Sequence, residues 1–184
     1  MKAVFLDRDG TLVVEKGYIT VPEAVELYPG VPAAVLALRD AGWKVIVFTN
    51  QGAVAKGLIT EDELAGINER MLMMLGAEGA VVDGVYCCPH HPEGEVEQYA
   101  VECDCRKPKP GLLEQAARDH DLELSGCVVV GDTPRDLQAG RAVGAKTVLV
   151  LTGHGAETSL VPHGADHVAA DLQSAARWIL RREV

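Results

Sequence analysis

The feature that most constrains the fold is a regular alternation of short apolar runs with amphipathic segments along the chain. The apolar runs predict strands over residues 3–6, 44–48, 81–86, 126–130 and 147–151. The segments between them predict helices over residues 31–41, 110–121, 133–143 and 171–181, with a further helix that begins after Thr60. Parallel strands need helical crossovers, so this order predicts an α/β fold, a doubly wound Rossmann-like parallel sheet with helices on both faces.

Two of the predicted helices begin with typical capping residues. Thr60 and Glu63 have the spacing of a capping box, and Asp171 is a favourable N-cap for the last helix. Residues 12–29, after the first strand, show neither a helical nor a strand period and predict an irregular loop.

Length and charge narrow the classes of protein that this sequence represents. A chain of 184 residues can bury a core without disulfide support, and we expect a single domain over residues 1–184. The formal net charge of −10 argues against nucleic-acid and anionic-membrane partners. No signal peptide or membrane span is evident, so we expect a cytoplasmic protein. We expect a monomer because no long amphipathic surface helix suggests an interface.

Two carboxylates follow the first strand directly. Alternation along an extended chain puts Asp7 and Asp9 on the same side, where their mutual repulsion favours a bound cation. Mg²⁺ is the natural candidate, because it is a hard ion that prefers carboxylate oxygen. The alternative is an ordinary polar turn at a strand end.

Two later strands also end at polar residues. Thr49 and Asn50 end the second strand, and Asp132 follows the strand over residues 126–130. Ligands of doubly wound sheets bind at the carboxyl ends of the strands, so one cleft should gather these side chains and Asp132 should join the metal site. Asp136 either holds a cation or a water behind this site, or is simply an acidic residue in the first turn of a helix.

A basic segment, Arg106-Lys107-Pro108-Lys109-Pro110, precedes a predicted helix. The prolines restrict the path of the chain, so that Lys107 can be aimed at a phosphate oxygen and Arg106 can bind one at two points. The alternative for each basic residue, taken singly, is a solvated surface charge.

Cysteine and histidine residues form a second candidate metal site. Cys88 and His90, with Cys103 and Cys105, make up the ligand set of a closed structural zinc site. Such a site would pin the loop and hold the basic segment in position. A disulfide is the alternative, and Cys87 and His91 are spare ligand candidates. The remaining cysteine, Cys127, lies within a predicted strand and fits a buried apolar position.

The sequence resembles the haloacid dehalogenase (HAD) superfamily of phosphotransferases in four ordered motifs: Asp-x-Asp-Gly-Thr, Thr-Asn, Lys-Pro-x-Pro and Gly-Asp-x-x-x-Asp. The resemblance implies that Asp7 is the nucleophile that becomes an aspartyl phosphate, and that Asp9 is the general acid and then the general base. It also implies that Thr49 and Lys107 hold the transferring phosphoryl group.

The same resemblance implies the ligands of Mg²⁺. These are the carboxylates of Asp7 and Asp132 and the backbone carbonyl of Asp9, with the carbonyl of Thr133 nearby. Many members of the superfamily carry an inserted cap domain, but residues 12–29 are too short for one. We therefore expect an open site without a cap, with specificity determined by loops.

The zinc loop makes the resemblance more specific, because it looks like that of the D-glycero-D-manno-heptose 1,7-bisphosphate 7-phosphatases of bacterial nucleotide-heptose synthesis. This similarity implies a small phosphorylated sugar as substrate, with Arg106 at its distal end. The implied substrate-binding residues are Glu15, Lys16, Gly17, Tyr18, Thr49, Asn50, Gln51, Gly52, Arg106, Lys107 and Thr133. The segment Thr133-Pro134-Arg135 departs from the pattern of that family, and the sequence alone defines no effect of this departure on substrate preference.

Two other functions fit part of the same sequence pattern. Histidinol-phosphate phosphatases share the catalytic motifs and a zinc loop, usually with a shorter spacer between the ligand pairs, so the long spacer here favours the heptose enzyme. A receiver-type signalling module also has an acidic Mg²⁺ cleft, but its acceptor aspartate usually lies on a later strand. The sequence leaves the α or β anomer of the substrate open.

Overall fold

The structure, a computed structural model that describes residues 1–181, contains six strands in this range. They are β1 (Ala3–Leu6), β2 (Lys44–Asn50), β3 (Gly84–Cys88), β4 (Val128–Gly131), β5 (Lys146–Val150) and β6 (His167–Ala169). Every pairing between neighbours is parallel, and the order across the sheet is β3-β2-β1-β4-β5-β6. This order confirms the predicted doubly wound sheet, and its direction reverses between β1 and β4, the switch point at which such sheets bind ligands.

Helices cover both faces of the sheet. They are α1 (Val31–Asp40), α2 (Glu61–Ala77), α3 (Gly111–His120), α4 (Pro134–Ala142), α5 (Gly155–Thr158) and α6 (Leu172–Arg181). Apolar residues of α1, α2 and α6 pack on one face, and those of α3 and α4 pack on the other. Within residues 1–181, no helix is both long enough and apolar enough to cross a membrane.

Strand β1 lies at the centre of the core. Its side chains alternate between the two faces, with Val4 and Leu6 in one apolar cluster and Ala3 and Phe5 in the other, all fully buried. Burial on both faces is typical of a central parallel strand. Because β1 ends at Leu6, the next side chains of the chain emerge at the carboxyl edge of the sheet.

The predicted helix caps are confirmed. Thr60 Oγ1 accepts a hydrogen bond from the Glu63 backbone N–H at 3.2 Å, and Glu63 accepts one from the Thr60 backbone at 2.7 Å. Asp171 Oδ1 accepts the backbone N–H of Ser174 at 2.7 Å. Each cap satisfies backbone donors that the first turn of a helix leaves without intrahelical partners.

The prediction for the third strand is wrong at both ends, because β3 begins at Gly84 and continues to Cys88. Val81 is 55 % exposed, and the Asp83 carboxylate accepts the Val45 backbone N–H at 2.9 Å. The Asp83 backbone N–H still donates to the Val45 carbonyl at 2.7 Å, but the acceptor for Val45 is the Asp83 side chain, so the regular strand ladder begins only at Gly84. At the other end, pairing with β2 carries the strand on to Cys88 and so to the cysteine loop.

Two short elements, α5 and β6, were not predicted. They contain four and three residues, which is too few to show a helical or strand period. Residues 12–29 form the predicted irregular loop, apart from a 3₁₀ turn at Pro22–Ala24. Isolated bridges join Val13 to Asp9 and to Leu27, so the loop folds back beside the end of β1.

Candidate active site

Three buried carboxylates meet at the switch point of the sheet. Asp7 follows β1, while Asp132 and Asp136 follow β4, and each offers an oxygen within 4.8 Å of the others. Burial and the charge of Asp136 raise the pKa of Asp7 well above its usual range, against the attraction of Lys107. Burial and the same neighbouring charge raise the pKa of Asp132 to about 6. The cluster is therefore a place where a cation would relieve strong repulsion.

The donor set fits a divalent cation that prefers oxygen. Asp132 Oδ2 accepts the backbone N–H of His154 at 2.8 Å, but its Oδ1 is buried and has no hydrogen-bond partner in the described structure. A side chain at Gly10 or Gly153 would bring a Cβ within 2.1 or 2.3 Å of that carboxylate. The backbone thus closes around Asp132 and leaves one buried oxygen free for a ligand.

Lys107 lies between two of these carboxylates and is itself buried. Its Nζ is 2.8 Å from Asp7 Oδ1 and 2.6 Å from Asp136 Oδ1, and it donates to the Phe48 carbonyl at 3.1 Å. Burial alone lowers the pKa of Lys107, but Asp136 and Asp7 outweigh it and raise the pKa above its usual value. Lys107 is therefore positively charged at neutral pH.

Asp136 has both of the roles that the sequence left open. Its Oδ2 accepts the Thr133 backbone N–H at 3.0 Å and the Thr133 hydroxyl at 2.6 Å, which caps α4. Its Oδ1 pairs with Lys107. A helix cap therefore aims a buried carboxylate at the lysine.

Asp9 and Thr49 also line the site, and Gln51 joins them. The Gln51 side-chain amide donates to Asp9 Oδ2 at 2.7 Å and to Thr49 Oγ1 at 2.9 Å. The general-acid candidate and the phosphoryl-binding candidate are thus connected through one side chain at the end of β2.

A cavity of about 280 Å³ opens over these groups. Its lining includes most of the side chains that the sequence predicts for the site. They are Asp7, Asp9, Glu15, Gly17, Tyr18, Thr49, Asn50, Gln51, Gly52, Arg106, Lys107, Asp132 and Thr133.

Lys16 is the predicted residue that the structure does not bring to the cavity lining. Its ammonium group binds Glu26 at 2.8 Å and the Ala24 carbonyl at 3.2 Å on the outside of the loop. The irregular loop therefore points its neighbours Glu15 and Gly17 toward the site and Lys16 away from it.

Arg135 and His154 line the cavity without having been predicted for it. His154 lies just beyond β5, so its place after a strand end was an available signal. Arg135 stands inside the Gly-Asp motif, but sequence alone gives no direction to its side chain. Together with Arg106, it makes one rim of the cavity positive. Burial and the neighbouring charge of Arg135 lower the pKa of Arg106.

The predicted zinc ligands come together beside this rim. The Cys105 sulfur is 3.2 Å from both Cys88 and Cys103, and His90 Nδ1 is 3.3 Å from Cys105. All four ligand atoms lie within 4.8 Å of one another. Three thiols and one imidazole at this spacing fit a structural zinc site, and none of these cysteines forms a disulfide.

The spare candidates lie outside the cluster. His91 Nδ1 accepts the Glu93 backbone N–H at 3.1 Å, and Cys87 accepts a hydrogen bond from Asn68 at 3.3 Å. Cys127 is buried in the core, as its sequence position suggested. The cysteine cluster also touches the active site, because Arg106 Nη1 donates to the His90 carbonyl at 2.9 Å.

Comparison with known proteins places this geometry in a family. The profile of the HAD-hydrolase-like family matches residues 104–175. A D-glycero-β-D-manno-heptose-1,7-bisphosphate 7-phosphatase of Haemophilus ducreyi is 43 % identical over 154 residues, covering 83 % of this chain and 84 % of that protein. The enzyme of the same name from Escherichia coli K12 is 38 % identical over 180 residues, covering 97 % and 87 %.

A solved structure agrees with these relatives. The crystal structure of D,D-heptose 1,7-bisphosphate phosphatase from B. bronchiseptica, complexed with magnesium and phosphate, is 36 % identical in sequence. It superposes with a TM-score of 0.88 and covers 99 % of each chain.

These relatives identify the chain as a phosphoric monoester hydrolase with the HAD fold, a class that its sheet, acidic cleft and lysine fit, and they decide against the receiver-module alternative. Within that class, the chain belongs to the D-glycero-β-D-manno-heptose-1,7-bisphosphate 7-phosphatase family.

Proposed function

We propose that the protein is a Mg²⁺-dependent phosphatase that hydrolyses the 7-phosphate of D-glycero-β-D-manno-heptose 1,7-bisphosphate and leaves heptose 1-phosphate. The observation that carries the proposal is the buried pair of Asp7 and Lys107 at 2.8 Å, beneath a cavity with a positive rim. The names of the relatives support the β anomer. A role in nucleotide-heptose synthesis, for the lipopolysaccharide core or for GDP-heptose, stays a prediction. The cytoplasmic location and the monomeric state stay predictions.

Asp7 has the setting of an oriented nucleophile. Its Oδ1 accepts the Arg8 backbone N–H at 2.7 Å and the Lys107 ammonium at 2.8 Å. In the described structure its Oδ2 has no protein hydrogen bond, so we assign to Oδ2 the attack on phosphorus. An aspartyl phosphate forms as the bond from phosphorus to the sugar oxygen breaks.

Asp9 then completes the two proton transfers. It donates a proton to the leaving sugar alkoxide, and it later removes a proton from the water that hydrolyses the aspartyl phosphate. Lys107 lies beside Asp7, and Thr49 lies near the end of β2. Both line the cavity, where their donors can stabilise the charge of the transferring phosphoryl group.

The residues that would hold Mg²⁺ are Asp7 and Asp132 through their carboxylates and Asp9 through its backbone carbonyl, with the Thr133 carbonyl nearby. The unpartnered Oδ1 of Asp132 supports this assignment. Bound there, Mg²⁺ supplies positive charge that offsets the carboxylate repulsion and the negative charge of the phosphoryl oxygens. We assign Zn²⁺ to Cys88, His90, Cys103 and Cys105, where it ties Arg106 and the lysine loop to the core.

The positive rim supports a substrate with a second anionic group. Arg106 and Arg135 both line the cavity and lie close enough to repel each other, and a second phosphate of the substrate would offset that repulsion. Histidinol phosphate carries a cationic amine and an imidazole ring and has no second anionic group, so the rim disfavours it. The remaining predicted contacts that line the cavity, with Glu15, Gly17, Tyr18, Gln51 and Gly52, belong to the same proposal.

The test is a comparison of kcat/KM for both anomers of heptose 1,7-bisphosphate and for histidinol phosphate, with Mg²⁺ present and released phosphate as the readout. We expect the β anomer to be preferred, with multiple turnovers and a heptose 1-phosphate product. D7N is the inactive control for contaminating phosphatase. A preference for histidinol phosphate would overturn the proposed substrate.

A further inference from the structure

Arg8 stands between the two aspartates of the first motif, and its side chain is only 2 % exposed. A guanidinium group buried to this degree destabilises a fold unless it is paired and hydrogen-bonded. In the proposed mechanism the backbone N–H of Arg8 orients Asp7, but the buried side chain has no role.

The guanidinium group binds the carboxylate of Asp9 at two points. Nη2 donates to Asp9 Oδ2 at 2.9 Å, and Nε lies 3.1 Å from Oδ2 and 3.2 Å from Oδ1. Gln51 adds a third donor to Oδ2 at 2.7 Å. Oδ2 is thus surrounded by donors, whereas Oδ1 has a single long contact and belongs to a side chain that is 18 % exposed.

A residue of helix α2 holds the other side of the guanidinium group. Asn68 Oδ1 accepts Arg8 Nη1 at 2.9 Å, and the amide of the same residue donates to the Cys87 sulfur at 3.3 Å. The plane of the guanidinium group is therefore fixed from a second element of the fold.

We propose that Arg8, oriented by Asn68, is a positioning residue that anchors Asp9 through Oδ2 and leaves Oδ1 to exchange the proton. This inference rests on the proposed role of Asp9 as general acid and base. A planar two-point contact permits one carboxylate orientation, whereas a lysine would act as a point charge. Oδ2 can accept these donors in both protonation states of Asp9, so the anchor persists through both steps.

The proton balance follows from this assignment. In the first step the proton on Asp9 Oδ1 passes to the sugar oxygen as its bond to phosphorus breaks and Asp7 bonds to phosphorus. In the second step water bonds to phosphorus, its proton passes to Oδ1, and the bond from Asp7 to phosphorus breaks. In each cycle Oδ1 loses one proton to the sugar oxygen and gains another from water, so Asp9 ends as it began.

The test exploits the leaving group. An alkoxide needs protonation as it leaves, but p-nitrophenolate does not, and kcat/KM reports only the steps up to formation of the aspartyl phosphate. We expect R8K to lower kcat/KM for the alkyl ester β-glycerophosphate by about 10- to 100-fold, as a misplaced general acid should. We expect a loss below about threefold for p-nitrophenyl phosphate. The ratio of kcat/KM for β-glycerophosphate to kcat/KM for p-nitrophenyl phosphate should therefore fall in R8K. N68A should lower the same ratio by a smaller factor.

R39K is the matched control, because Arg39 also pairs with a carboxylate, Asp83, but does not line the cavity. It should leave both substrates unchanged. Equal losses of R8K on both substrates, or wild-type rates on both, would overturn the positioning role.

Thermal melting and zinc content show whether each variant is folded. If R8K does not fold, N68A decides the question through the same ratio, because it retains the arginine and removes only the contact that orients it. Wild-type protein that hydrolyses neither phosphate would overturn the proposed function and this inference together.

Discussion

Asn50 binds the backbone of Lys107 from both sides. Its Oδ1 accepts the Lys107 N–H at 3.0 Å, and its Nδ2 donates to the Lys107 carbonyl at 3.1 Å. The end of β2 therefore holds the residue whose ammonium group lies between Asp7 and Asp136. The sequence suggested a substrate contact for Asn50, whereas this geometry indicates that it positions the lysine.

We expect N50A to lower kcat by about 10- to 100-fold, because a small displacement of Lys107 misplaces the charge next to the nucleophile. Loss of two hydrogen bonds should also cost about 1–3 kcal/mol of unfolding free energy. Steady-state kinetics and urea unfolding measure the two effects. Q138A, which removes an exposed amide on α4, is the control and should change neither.

The raised pKa of Asp132, about 6, predicts a pH-dependent response to metal. An acid whose pKa is higher in the folded state stabilises the fold at low pH, and this stability is lost as the pH rises through the folded pKa. Without metal, we therefore expect Tm to fall between about pH 4 and about pH 7 because Asp132 ionises in a buried site. Added Mg²⁺ should raise Tm at about pH 7.5 and much less at about pH 5, since protons compete for the same oxygen.

Melting curves in EDTA and in Mg²⁺ across this range test the prediction. D132N should abolish most of the response to Mg²⁺ while remaining folded. A response of equal size at both pH values would contradict the assignment of Asp132 as a ligand.

Removal of a zinc ligand should disturb more than the loop. We expect wild-type protein to contain about one zinc per chain, and C105S to lose it because three ligands make a weak site. Since Arg106 and Lys107 follow Cys105 directly, C105S should also lower kcat/KM and Tm. Metal analysis of C127A, whose cysteine lies in the core, should give the wild-type zinc content.

Arg135 offers a direct test of the positive rim. Its exposed side chain forms no hydrogen bond or ion pair in the described part of the chain, so truncating it should leave the fold intact. We expect R135A to raise KM for heptose 1,7-bisphosphate by about 10-fold, the value of one charge-assisted contact. KM for p-nitrophenyl phosphate, which has no second phosphate, should not change. R118A, an exposed arginine on α3, is the control, and an equal rise for both substrates would contradict a distal role.

Much of the fold was predictable because it depends on local patterns. Alternating apolar runs and amphipathic segments define a parallel α/β sheet, and capping residues such as Thr60 and Asp171 mark helix starts wherever they occur. The third strand was misplaced because Asp83 ends the pairing through its side chain, which depends on the neighbouring strand. Elements as short as α5 and β6 have no period to detect.

The sequence by itself determined which chemical groups are present and at which edge of the sheet they gather, because motif order and strand direction are properties of the chain. It also separated the two candidate metal sites by ligand type. Only the tertiary structure decided the roles of individual side chains: Lys16 turns outward, Asn50 holds a backbone, and Arg8 anchors Asp9. Such roles depend on distances between residues far apart in the chain, and side-chain direction in a loop follows from packing rather than from local sequence.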